Sequence, residues 1–134
     1  MKIFTLAPRE NWICDRFVQE WNAGNKDIVA QNIQESEIIW LLADWCWNQI
    51  DPRNLAQKKV VASVHHITPS KFNENEVREF LHRDNFVDAY HVPCIKTRDQ
   101  IIGLTKKPIY TFPFWINQNI WKNKRLVKTM LREN

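Results

Sequence analysis

The sequence predicts an α/β domain, a three-layer Rossmann-like parallel sheet with helices on both faces, and three observations lead there. Apolar runs of strand length recur at Lys2 to Leu6, Ile38 to Ala43, Lys59 to Val64, Phe86 to Val92 and Pro108 to Pro113. Segments of helix length separate them, which is the alternation a parallel sheet needs for its crossovers. The run through Val60, Val61, Ala62 and Val64 is nearly unbroken in its apolarity, as befits a strand buried on both faces. Linkers rich in Gly, Ser or Pro are missing and no repeat is visible, so residues 1–134 read as a single domain.

Taken in order, Lys2 to Leu6 forms a first strand closed by Ala7-Pro8. Trp12, Phe17 and Trp21 then fall at helical spacing, with Asn11 placed to cap the helix and Gly24 to end it. Ile28 to Ala30 is a short, weak strand. Ile38 to Ala43 is a second buried strand, and Asp44-Trp45-Cys46-Trp47-Asn48-Gln49 follows at its carboxyl end. Asp51-Pro52 turns the chain, and Asn54 to Lys58 leads into the central strand. After Thr68-Pro69-Ser70, a helix over Asn73 to Arg83 is capped by Asn73, with Glu74 and Glu76 at the end where the helix dipole favours acids. Phe86 to Val92 is a strand, Ile95 to Leu104 a helix and Pro108 to Pro113 a further strand. An amphipathic, basic helix closes the chain over 122–134.

Composition narrows the function. With two Gly in 134 residues, and Ala7-Pro8-Arg9-Glu10-Asn11 after the first strand, neither a dinucleotide fingerprint nor a P-loop is present, which argues against a nicotinamide enzyme. No apolar run approaches the length of about 18 residues that spans a bilayer. The amino terminus has too short an apolar stretch to be a secretory signal. Cys14, Cys46 and Cys94 are widely spaced, fitting reduced thiols and a cytoplasmic setting. The net charge of +4 resides in Lys122, Lys124, Arg125, Lys128 and Arg132 against Glu133, and the rest of the chain is neutral. The basic character therefore belongs to a tail helix suited to peripheral contact with an anionic membrane face, and a nucleic-acid surface is not expected.

The candidate site residues lie at strand ends. In open parallel sheets ligands gather outside the carboxyl tips of the strands, and His65-His66 closes the central one. A strand-end histidine is equally at home as a half-buried, hydrogen-bonded structural residue. Asp44, Trp45 and Trp47 make an aromatic and hydrogen-bonding rim that suits a sugar, whose apolar ring face stacks on indole while its hydroxyls take polar partners. The bland alternative is that these tryptophans cap the core. Arg9, at the first strand end, can meet an anionic group. His65, His66, His91 and Cys94 offer metal-ligating types, but neighbouring residues on a strand point to opposite faces, so no metal is expected. No base is placed by sequence beside any of the three thiols, which disfavours a cysteine nucleophile.

Four stretches together carry a family resemblance: Val60 to His66, Val87-Asp88-Ala89-Tyr90-His91-Val92-Pro93-Cys94 with Thr97-Arg98, Pro108-Ile109, and Phe112-Pro113-Phe114-Trp115-Ile116-Asn117 with Trp121. In order and spacing they resemble the amino-terminal, acceptor-side lobe of retaining, glycogen-synthase-like GT-B glycosyltransferases. The resemblance implies that His65 is the histidine facing donor sugar and acceptor across the cleft. It sets Cys94 where the family has Ser, Asn117 where it has Asp and Trp121 where it has Phe. Phe114-Trp115 replaces Asn-Gly, and Arg9-Glu10-Asn11 replaces a Gly-rich loop. It further implies a nucleotide-sugar as co-substrate with no other cofactor, bound mainly by a second lobe, a sugar, glycan or lipid acceptor, and little activity for one lobe alone. On this expectation 122–134 leads toward that lobe. The competing expectation is a non-catalytic α/β binding or interaction module with a Trp-rich ligand rim.

Overall fold

The computed structural model describes residues 1–115. The expected α/β architecture is what the chain adopts: β1 (Ile3–Leu6), β2 (Ile38–Leu41), β3 (Lys59–Ser63), β4 (Ala89–Val92) and β5 (Ile109–Thr111) form one sheet in the order β1-β2-β3-β4-β5. Every pairing is parallel. A bridge between Ile3 and Val29 adds a rudimentary strand on the outer side of β1, where Ile3 donates to Ile28 O at 2.8 Å and Ala30 donates to Ile3 O at 2.9 Å. The chain thus leaves β1 in one direction, touches the sheet at Val29 and returns across β1 to β2. That reversal makes the crevice between the carboxyl tips of β1 and β2 the topological switch point of the fold.

Register assigns the two faces. Thr5, Trp40 and Val61 are partners across β1 to β3, and the next row, Leu6, Leu41, Ala62 and Tyr90, points the other way. Helix α1 (Ile13–Gly24) covers the Trp40 face: Trp21 meets Trp40 edge-on at 5.6 Å, and Thr5 donates its hydroxyl proton to Asn22 Oδ1 at 3.0 Å. Helix α3 (Glu74–Asp84) covers the Tyr90 face, where Phe80 stacks on Tyr90 at 5.4 Å. Leu55 of α2 (Pro52–Gln57) and Ile101 of α4 (Ile95–Ile101) complete the same core. No helix among the described residues is long and apolar enough to cross a membrane.

Local chemistry moved several boundaries. Asn11 sits at φ 55, in the left-handed region, so the extended capping position falls to Trp12, and α1 ends with Asn25 as its cap after Gly24. The stretch expected to lead into β3 is helix α2, begun by Asp51 accepting from the Arg53 N–H and by Pro52 in the first turn. Asp44–Gln49 coils into a 3-10 helix. Asn73 caps α3 as its position predicts, accepting from the N–H groups of Asn75 and Glu76. Strands β4 and β5 are shorter than the apolar runs that contain them, and α4 ends before Leu104. Asn117, Trp121 and the basic helix expected over 122–134 lie outside the described residues.

Candidate functional site

The carboxyl tips of β2 and β3 open onto a cleft of about 570 Å³, floored by Val64 and Phe80 and closed on one side by α3. His65, His66, Asp44 and Trp45, all singled out by their strand-end positions, line it together. Trp45 leaves 46% of its surface exposed and stands 6.1 Å from His65, ring centre to ring centre. Lys71, Glu76 and Glu79 add charge to the opposite wall.

His65 is fixed from three sides. Its Nε2 lies 2.5 Å from Leu42 O, and because a carbonyl can only accept, the ring proton sits on Nε2. Phe114 stacks on the imidazole at 4.5 Å, and Thr97 donates its hydroxyl to the His65 carbonyl at 3.4 Å. Burial lowers the ring's pKa from its ordinary value, against the opposing pull of the Leu42 carbonyl and Asp44, so the imidazole is neutral near pH 7. The neutral tautomer leaves Nδ1 as a lone-pair acceptor, without a hydrogen bond to any described residue. Cys14 Sγ lies 3.6 Å from Nε2, but that nitrogen's proton is committed to Leu42. Burial, with Asp15 and Glu10 adding to it, pushes the Cys14 thiol up to about 11, which removes it as a nucleophile.

Asp44 is anchored by Arg83, whose Nη2 donates to Oδ2 at 2.5 Å, and both side chains are largely buried, at 14% and 7% exposure. Burial raises the Asp44 carboxyl from its ordinary value, while Arg83 and then His65 pull it back. The sequence reading missed Arg83. Its signal was available: Arg83 follows Phe80 by three residues, on the stripe of α3 that faces the core. Phe114 was also missed as a site residue, because its role depends on the chain after β5 doubling back toward β3.

The other expected residues separate. Trp47 turns away from the cleft and packs against Phe86 at 5.7 Å and His82 at 5.4 Å, which corrects its assignment to the rim. The 3-10 geometry of Asp44–Gln49 rotates it there, where an extended segment would have kept Trp45 and Trp47 on one side. Arg9 is exposed in the loop after β1 and does not line the cleft. Cys94 is exposed at the tip of β4, just before α4, with Sγ 3.5 Å from Thr97 Oγ1, a contact that lowers its thiol pKa. It reaches His65 only through Thr97.

His91 is a structural histidine. Trp40 Nε1 donates to Ser63 Oγ at 2.9 Å, Ser63 Oγ stands 2.8 Å from His91 Nδ1, and His91 Nε2 is 2.8 Å from Phe112 O. Since the Phe112 carbonyl accepts, Nε2 carries the proton and Nδ1 accepts from Ser63. Both ring nitrogens are consumed, and a metal has no lone pair to take.

Comparison with known proteins returns no matching family model, no matching curated protein and no matching solved structure.

Proposed function

We propose that this chain is the acceptor-side lobe of a retaining GT-B glycosyltransferase, which holds a sugar, glycan or lipid acceptor while a second lobe supplies the nucleotide-sugar. The observation that carries the reading is the convergence of His65, Asp44 and Trp45 on one open cleft at the carboxyl edge of a doubly wound sheet. That edge is where such folds bind ligands. The chemistry offered there is acceptance of hydrogen bonds from hydroxyl groups, by the free Nδ1 of a neutral, immobilised His65 and by the Asp44 carboxyl oxygens. Trp45 adds an exposed indole face against which a sugar ring packs.

In this role His65 orients a hydroxyl; it does not abstract the proton. Its ring is stacked on Phe114 and hydrogen-bonded to Leu42 O, so it is placed before the acceptor arrives and little ordering is left to be done on binding. The donor half of the reaction has to come from the second lobe, so the chain by itself is expected to bind acceptor without turnover. Tryptophan fluorescence tests this directly. Neutral sugars should change the emission, and Trp45→Phe should abolish that change, while free nucleotide-sugar should leave it as it was. Silence toward sugars and nucleotide-sugars alike would instead favour a non-catalytic interaction module.

A further inference from the structure

We propose that the basic tail, residues 116–134, folds back over the Trp40 face of its own sheet, laying an apolar stripe across β3 to β5 and a cation against Glu20. The topology leaves that face half covered. The steps β2 to β3, β3 to β4 and β4 to β5 all run in one direction, so right-handed crossovers put α2, α3 and α4 together on the Tyr90 side. Among the described helices only α1, which steps the other way toward Val29, covers the Trp40 side, and it sits over β1 and β2. Exposure follows the topology: Ile39, Leu41, Val60, Ala62, Tyr90 and Val92 are sealed, whereas Trp40, Val61 and Ala89 are half-buried and Tyr110 is 57% exposed. A parallel sheet is ordinarily covered on both faces.

Where the described chain ends identifies the occupant. Beyond β5 it has already crossed to this side, for Trp115 packs on Trp40 at 5.5 Å and donates its indole N–H to Phe17 O of α1 at 3.1 Å. Residues 116–134 therefore set out beside the open half of the face. Their sequence suits it: on a helical projection Ile120, Val127, Met130 and Leu131 share one side, while Lys128 and Arg132 lie away from it. Wound as a helix, the span 120–131 would be about 18 Å long, close to the height of a five-residue strand.

Glu20 is the independent observation. Its side chain is only 11% exposed, and both carboxylate oxygens are buried without a hydrogen-bond partner among the described residues; Arg16 Nε stands 3.6 Å from Oε1, beyond hydrogen-bonding distance. A carboxylate so buried is costly until a cation meets it. Glu20 follows Phe17 by one turn of α1, and Phe17 is the residue whose carbonyl receives Trp115, so the tail enters beside it. The tail brings Lys122, Lys124 and Arg125 to that neighbourhood. A second copy docking by the same face would bring another Glu20, and an anionic membrane would bring further negative charge. The inference does not rest on the transferase reading, yet it makes the tail a strap on the site, since Phe114, stacked on His65, is then held between β5 and the docked segment.

Methyl NMR of the full chain tests the proposal. Nuclear Overhauser effects should join the Val127 or Leu131 methyls to those of Val61 and Ala89, and the amides of 126–131 should exchange about tenfold or more slowly than in an unstructured peptide. In a mixture of isotope-labelled and unlabelled chains, these effects should arise within one molecule and not between two. Leu131→Asp and Glu20→Lys should each release the tail, returning its amides to the unstructured rate while those of β3 stay protected. Leu131→Asp alters no residue of the sheet core, so it reports on the tail even if Glu20→Lys unfolds the sheet. Three results would overturn the proposal: no such effects in the native chain, effects only between copies, or tail protection that appears only when phosphatidylserine vesicles are added. The measurement needs neither acceptor nor donor nor second lobe, so its failure is separable from failure of the transferase reading.

Discussion

His65 combines two properties that usually exclude each other, a nearly fixed ring and an unspent lone pair. The proton on Nε2 is given to Leu42 O, the ring face to Phe114, and Nδ1 remains for a ligand. If the transferase reading proposed above holds, His65→Ala should lower transfer by the two-lobe enzyme about 10- to 100-fold, the worth of one oriented hydrogen bond, with the fold retained. Unaltered turnover would remove His65 from the mechanism. Asp44 and Arg83 make a different forecast. Truncating Arg83 to Ala strands a buried carboxylate, and urea unfolding should show a loss of about 3–5 kcal/mol. Replacing the pair together, Asp44→Asn with Arg83→Met, should recover most of that loss, because the desolvation cost disappears with the charges. A double variant as unstable as the single one would mean that Arg83 stabilises through packing on Phe80, over which its guanidinium lies at 5.2 Å, and the pair contributes little.

Among the elements, the tie across the sheet matters most for the site. The Trp40, Ser63, His91 and Phe112 chain runs from β2 through β3 and β4 to the segment after β5, and that segment delivers Phe114 onto His65. Ser63→Ala would orphan the Trp40 donor and the His91 acceptor together. At about 1–3 kcal/mol per unsatisfied buried group the expected loss is about 2–6 kcal/mol, measured by denaturant unfolding. A loss below about 0.5 kcal/mol would show that water replaces the hydroxyl without cost. This tie also marks what could be read from the sequence. The apolar run at Val60 to Val64 announced a central strand, and Asn73 announced the start of α3, because burial and capping are local patterns. Trp47 was misplaced because the turn type after β2 decides which way a side chain faces, and periodicity alone carries no turn type. Arg83 and Phe114 went unnoticed because their partners are 39 residues away in sequence in one case and across the sheet in the other. The fold was legible through repeated local signals; the site depends on single long-range contacts.

At the scale of the whole molecule, two buried neutral histidines set how stability responds to acid. Burial lowers the pKa of both His65 and His91 in the native state, while in the unfolded chain each titrates near the ordinary value of about 6.5. As pH falls below that value the unfolded chain takes up protons that the native state refuses. The stability these groups supply is complete above about pH 6.5 and is lost as pH descends through the native values, by at most about 1.4 kcal/mol per pH unit for each. Asp44 runs the other way, since its native pKa is raised and it contributes most at low pH, losing that contribution as pH rises. The histidines' contribution changes just below neutrality, where the unfolded imidazoles titrate. His91 is the cleaner reporter of the two, being buried with both nitrogens engaged, whereas His65 is half open to the cleft. Urea unfolding at pH 8 and pH 5.5 should show the native chain weakening on acidification. In His91→Asn, already less stable at pH 8, the further loss between the two pH values should shrink. If that variant loses as much as the native chain over the same interval, the acid sensitivity belongs to another group, and the Ser63–His91 tie is stable to protonation because its hydroxyl turns around to accept.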